Sequence, residues 1–136
     1  MTLPAIFDRL RLPIIASPLF LVSGPDLVIA QCKAGIVGSF PALNARPQTM
    51  LDEWIHRITE ELAAWNRDNP DRPAAPFAVN QIVHKSNNRW EEDMATCEKW
   101  QVPIIITSLG AREDLNTAVT RWGGVTLHDV VDDRFA

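Results

Sequence analysis

No apolar stretch in this sequence runs beyond about six residues, whereas a helix that crosses a bilayer needs roughly 20. A positively charged start followed by an apolar core and a small-residue cleavage site is missing too, so a soluble, cytoplasmic protein is expected. Basic charge is in deficit: 13 Lys and Arg stand against 17 Asp and Glu, a net charge of -4. Nucleic acid and anionic membrane both favour a clustered basic surface, so neither is expected as a partner. The only two cysteines, Cys32 and Cys97, sit in helix-like segments without a CxxC pair or a Cys/His cluster. Neither a disulfide framework nor a metal site is indicated. Glycine-rich phosphate loops of the dinucleotide or P-loop kind are absent as well. What is present, 136 residues with 46% apolar side chains, suffices for one domain and not for two.

Short β-branched runs alternate with longer amphipathic ones. Leu12 to Ser17 is the first strand candidate. Ser23-Gly24-Pro25-Asp26 reads as a helix start, with Ser23 as cap and Pro25 in the first turn, where its missing N–H costs nothing. The helix continues to Ala34, and Gly35 supplies the left-handed residue that ends it. Ile36 to Phe40 is a second strand. Leu51, Trp54, Ile55, Ile58, Leu62 and Trp65 then recur at helical spacing, opposite Asp52, Glu53, Arg57, Glu60 and Glu61. Phe77 to Ile82 is a third strand, and Trp90, Met94, Cys97 and Trp100 mark a third helix. Val102 to Ser108 is a fourth strand, residues 111–122 a fourth helix, and Val125 to Asp129 a fifth strand. Residues 130–136 look like the first turn of a fifth helix.

Strands apolar on both faces belong in parallel sheets covered by helices. Two α/β architectures fit: a doubly wound, flavodoxin-like domain, or a (β/α)8 TIM barrel, of which this chain supplies about the first five strands and four helices. The strand ends favour the barrel. Pro13-Ile14-Ile15-Ala16-Ser17-Pro18-Leu19-Phe20, then Ser23-Gly24-Pro25-Asp26-Leu27 and Ala34-Gly35-Ile36-Val37-Gly38-Ser39, resemble the opening of the nitronate monooxygenases, also called 2-nitropropane dioxygenases. Phe77-Ala78-Val79-Asn80 resembles the family's Phe-Gly-Val-Asn strand. Ile106-Thr107-Ser108-Leu109-Gly110 and Leu127-His128-Asp129 fall where its fourth and fifth strands end. The tip differs in reading Ser17-Pro18-Leu19 without a Met; Ala78 and Ile36 stand where the family has Gly.

The resemblance implies that residues 1–136 are the amino-terminal part of a single FMN-binding barrel domain. It implies an enzyme that oxidises a small-molecule nitronate or nitroalkane with O2 to a carbonyl compound and nitrite, with a homo-oligomer left open. The family's catalytic histidine follows its sixth strand, so no catalytic residue is assigned here. Reactive groups in such barrels stand at the carboxyl ends of the strands. The cofactor-binding candidates are therefore Ser17, Pro18, Leu19, Phe20, Asn80, Thr107, Ser108, His128 and Asp129. Each has a plainer reading: a turn stiffened by Pro18, an Asn80 bonded to a neighbouring loop, Thr107 and Ser108 capping the fourth helix, and a satisfied strand-end His128. His84 reads as a solvated loop histidine and His56 as surface, and the tryptophans read as packing anchors. Asp132 and Asp133 are explained by a helix dipole. The alternatives are an FMN-dependent enoyl reductase on the same barrel, or a complete flavodoxin-like binding module without catalysis. The isolated chain, with bare edge strands, is expected to bind FMN weakly or not at all.

Overall fold

The computed structural model describes residues 2–132 and 134. It contains strands β1 (Gly38–Pro41), β2 (Phe77–Ile82), β3 (Ile104–Ser108) and β4 (Val125–His128). Helices α1 (Pro25–Ala34), α2 (Met50–Asp68), α3 (Trp90–Lys99) and α4 (Glu113–Arg121) alternate with them, and 3-10 turns occupy Ala5–Arg9 and Ala42–Asn44. The strands form one parallel sheet in the order β1-β2-β3-β4.

The expected first strand is reduced to a single bridge. Ile15 pairs with Val37 in parallel; the Ala16 N–H donates to Val37 O at 2.8 Å, and the Val37 N–H to Ile14 O at 3.0 Å. Pro13 brings no donor, and the Ile14 N–H turns back to Leu12 O, so a regular ladder cannot run through this segment. The second strand starts at Gly38, two residues later than its apolar run suggests, because its register with β2 begins there.

Helix starts depart from the sequence pattern in two places. Gly24, not Ser23, is the cap of α1, with Pro25 at its first position; the Ser23 hydroxyl is spent accepting the Leu19 N–H at 2.9 Å. Arg112 precedes α4 without a side-chain cap bond, so Thr107 and Ser108 do not cap that helix. Gly35 ends α1 at φ 95°, in the left-handed region that suits glycine. Gly38 has a steric reason: a Cβ there would lie 2.6 Å from Val28 O and 3.0 Å from Cys32 Sγ, so α1 rests directly on the start of β1. The expected fifth helix falls partly on residues 133, 135 and 136, as does Asp133 of the carboxylate pair, and these lie outside the described residues.

Which side the helices take decides the architecture. Val28 and Cys32 of α1, Ile55 and Ile58 of α2, Met94 and Cys97 of α3, and Leu115 and Val119 of α4 all belong to one buried cluster. The strand residues in that cluster are Phe40, Phe77, Val79 and Ile105. Residues of the opposite parity, Val37, Ala78, Ile104 and Ile106, form a separate cluster that includes no helix residue; Ile6, Phe7 and Leu10 from the amino-terminal turn pack against it, with Leu127. A doubly wound sheet has helices on both faces, whereas a barrel has them all outside. This sheet has them all on one side. The tryptophans anchor that layer: the Trp122 Nε1–H donates to Val102 O at 3.0 Å, and Trp54 meets Phe40 edge-on with ring centroids 5.6 Å apart. His56 is exposed and stacks on Trp100.

Candidate functional site

Parallel strands deliver their carboxyl ends to one rim, and the loops there are residues 17–23, 42–49, 83–89, 109–112 and 129–132. Register shows which strand-end side chains point to the inner, helix-free side. Asn80 aligns with Ile106, and Ile82 with Ser108, so these four share the inner face; Gln81, Thr107 and His128 align on the helix side.

That parity divides the candidates. Asn80 is buried and donates its amide to Ile106 O at 3.0 Å and to Ser108 Oγ at 2.8 Å. Ser108 accepts that bond, and among the described residues nothing takes its own hydroxyl hydrogen. Thr107 and His128 bond each other on the helix side, and His128 Nε2 meets the Asn116 amide of α4 at 3.2 Å. His128 is thus the strand-end histidine satisfied by its neighbours. Asp129 is exposed and extends the ladder by donating its N–H to Thr107 O at 2.8 Å. Together with Leu109, Gly110, Ala111, Val130 and Val131 it lines a rim cavity of about 400 Å³. His84 is exposed and bonds Ser86 within its own loop.

Ser17, Leu19 and Phe20 are exposed, and Pro18 is half-buried. No acceptor among the described residues takes the backbone N–H of Ser17 or of Phe20. The rim is also apolar and conformationally committed. Leu21 and Leu109 both have positive φ, 62° and 61°, while standing 74% and 69% exposed. A non-glycine residue held left-handed costs roughly 1–2 kcal/mol, and such strain collects at functional sites.

Two residues absent from the sequence-based list hold this rim. The Asn44 side chain accepts the Leu21 N–H at 3.0 Å and donates to Leu19 O at 3.0 Å and to Ser23 O at 2.9 Å. Arg89 donates to Ala45 O at 2.9 Å and Ala42 O at 3.2 Å while gripping the fully buried carboxylate of Asp93. The signal for Asn44 is faint, since an Asn after a strand reads as a turn former. Arg89 carries a clearer one: a cation at a helix start opposes the helix dipole and needs a local reason. Neither cysteine is poised for chemistry, because burial pushes Cys32 up to about 11 and Cys97 up to about 12.

Comparison with known proteins agrees with this geometry. FabK from Thermotoga maritima superposes with a TM-score of 0.75 at 18% identity, over 99% of this chain and 40% of that one. A point mutant of the same protein gives 0.69 at 18% identity, over 99% and 42%. The chain has the fold of part of a (β/α)8 barrel. It spans about two-fifths of the length of these neighbours. No family model and no curated protein matches it.

Proposed function

We propose that this chain forms part of an FMN-dependent barrel oxidoreductase, working in the cytoplasm, that oxidises a small nitronate or nitroalkane with O2. The observation that carries the flavin reading is the rim itself. It joins unpartnered backbone donors at Ser17 and Phe20 and the free hydroxyl hydrogen of Ser108 with apolar side chains in fixed loops. These groups fit a flat heteroaromatic ring, which needs edge donors in set positions and dry walls beside its faces. They bring the ring its partners and not the phosphate. A bound flavin would supply electron exchange with the substrate. The chain's own residues would orient the ring edge through backbone N–H groups and keep water from it with Leu19, Phe20 and Leu109. Asn80, with its amide committed to Ile106 and Ser108, would fix the direction of the Ser108 hydroxyl.

A nitronate substrate rests on the strand-tip resemblance and on the apolar character of the rim. A second reading, an FMN-dependent enoyl reductase, is favoured by the structural likeness to FabK over nearly the whole of this chain.

Flavin fluorescence titration tests the first claim. Because the described residues serve the ring, riboflavin and FMN are expected to bind the chain with similar weak affinity, at a Kd of about 0.1–1 mM. Absence of any saturable change with FMN, both in this chain and in a polypeptide carrying the whole barrel, overturns the flavin reading. A polypeptide carrying the whole barrel decides the substrate: nitrite released from a nitronate supports the first reading, and NAD(P)H oxidation with an enoyl thioester the second.

A further inference from the structure

We propose that Arg89 is a positioning residue for the apolar loop at residues 19–23, acting at a distance through Asn44. The inference rests on the proposed flavin site only for its functional meaning; the linkage itself is a matter of geometry.

Residues 19–23 close on themselves, with the Leu19 N–H on Ser23 Oγ and the Ser23 N–H on Leu19 O, both at 2.9 Å. Among the described residues, every hydrogen bond that ties this loop to a different rim loop ends on the Asn44 side chain. Asn44 itself is the last residue of the 3-10 turn Ala42–Asn44. The carbonyls that flank it, Ala42 O and Ala45 O, are the two that Arg89 holds. Arg89 comes from the third loop, at the start of α3, and its guanidinium is fixed from behind by Asp93. The Gln48 amide donates to the same carboxylate at 3.2 Å, so the segment after β1 is pinned on both sides of Asn44.

The chain of contacts thus runs Asp93, Arg89, the carbonyls of Ala42 and Ala45, Asn44, and then the loop that carries Leu19, Phe20 and the left-handed Leu21. A planar guanidinium spans two carbonyls and a carboxylate at once, which a lysine ammonium cannot reproduce. The buried end of the chain determines where the exposed loop sits.

Site-resolved amide hydrogen exchange on the whole chain tests this. In Asn44→Ala the Leu21 amide is expected to exchange at least ~10-fold faster, with the β2 amides unchanged. Arg89→Lys, which keeps the charge against Asp93, is expected to raise Leu21 exchange about 3- to 10-fold, again without change in β2. The deciding comparison is the double variant. If Arg89 acts through Asn44, then Arg89→Lys adds nothing to Asn44→Ala at Leu21. An unchanged Leu21 rate in Arg89→Lys overturns the proposal, and so does a full additional effect in the double variant. An equal rise in β2 exchange would mean general destabilisation and also overturns it. A flavin titration keeps the two claims apart. Absence of FMN binding by a polypeptide carrying the whole barrel removes the flavin reading and leaves the exchange result standing.

Discussion

On the helix side of the sheet, Phe40, Val79 and Ile105 are fully buried beneath four helices; on the other side Val37, Ala78 and Ile104 are buried as fully, and only at the edge does Ile15 keep 42% of its surface in solvent. The inner face has only the amino-terminal segment over it, and Leu3, Phe7, Leu10, Pro13, Ile15 and Leu127 line a groove of about 310 Å³. The same strands build both faces, so the contrast comes from what packs against them. Exposed apolar side chains stand at the open edge and the rim, as Ile15, Leu21 and Leu109 do, and the two leucines sit on left-handed backbone.

The sharpest way to break this comparison is to make a cavity in each layer. Ile105→Ala is expected to cost about 3–4 kcal/mol in urea unfolding, as for a fully buried isoleucine. A cost under about 1 kcal/mol would show the outer layer to be loosely packed. Asp93→Ala follows, at about 3 kcal/mol, because it strips a mostly buried guanidinium of its carboxylate. Asp93→Asn should recover part of that by accepting one hydrogen bond, and full recovery would argue that charge plays no part.

The outer layer should also show itself in the pH dependence of stability. Cys32 and Cys97 keep their protons in the folded state up to about 11 and about 12, against an ordinary value of 9.0. The unfolded chain releases them first. Their stabilising contribution is therefore complete below pH 9 and is lost as pH rises from 9 toward 11 for Cys32 and 12 for Cys97. The slope for each thiol approaches about 1 kcal/mol per pH unit at its steepest. Denaturation midpoints between pH 8 and 10.5 measure it, with no tyrosine present to titrate alongside. Cys97→Ala should flatten the curve, and an unchanged slope would refute the assignment. The smallest effect is expected at the open edge of the inner face. Ile15→Ser should shift stability by less than about 1 kcal/mol, since its side chain is far from fully buried. A larger loss would mean that the groove is occupied in solution.

Much of the fold is legible in the sequence, because the helix pattern of Leu51 to Trp65 and the punctuation at Gly35 and Asn69-Pro70 are local signals. The rim is legible only in outline. Runs such as Ile104-Ile105-Ile106 are apolar on both faces, so nothing in them reveals that Asn80 and Ser108 face inward while Thr107 and His128 face α4. Ser23 has the form of a helix cap and is used instead to close a loop, since the choice depends on where Leu19 lies. Asn44 escapes notice for a similar reason, and so does the rim-holding half of Arg89's role: the main-chain partners are more than 20 residues away, although Asp93 is only four from Arg89.

The contact at Gly38 has a mechanical consequence. With no room for one carbon atom between α1 and β1, a side chain as small as alanine's at position 38 would push the helix off the strand, and with it the foot of the loop that leads into Pro25.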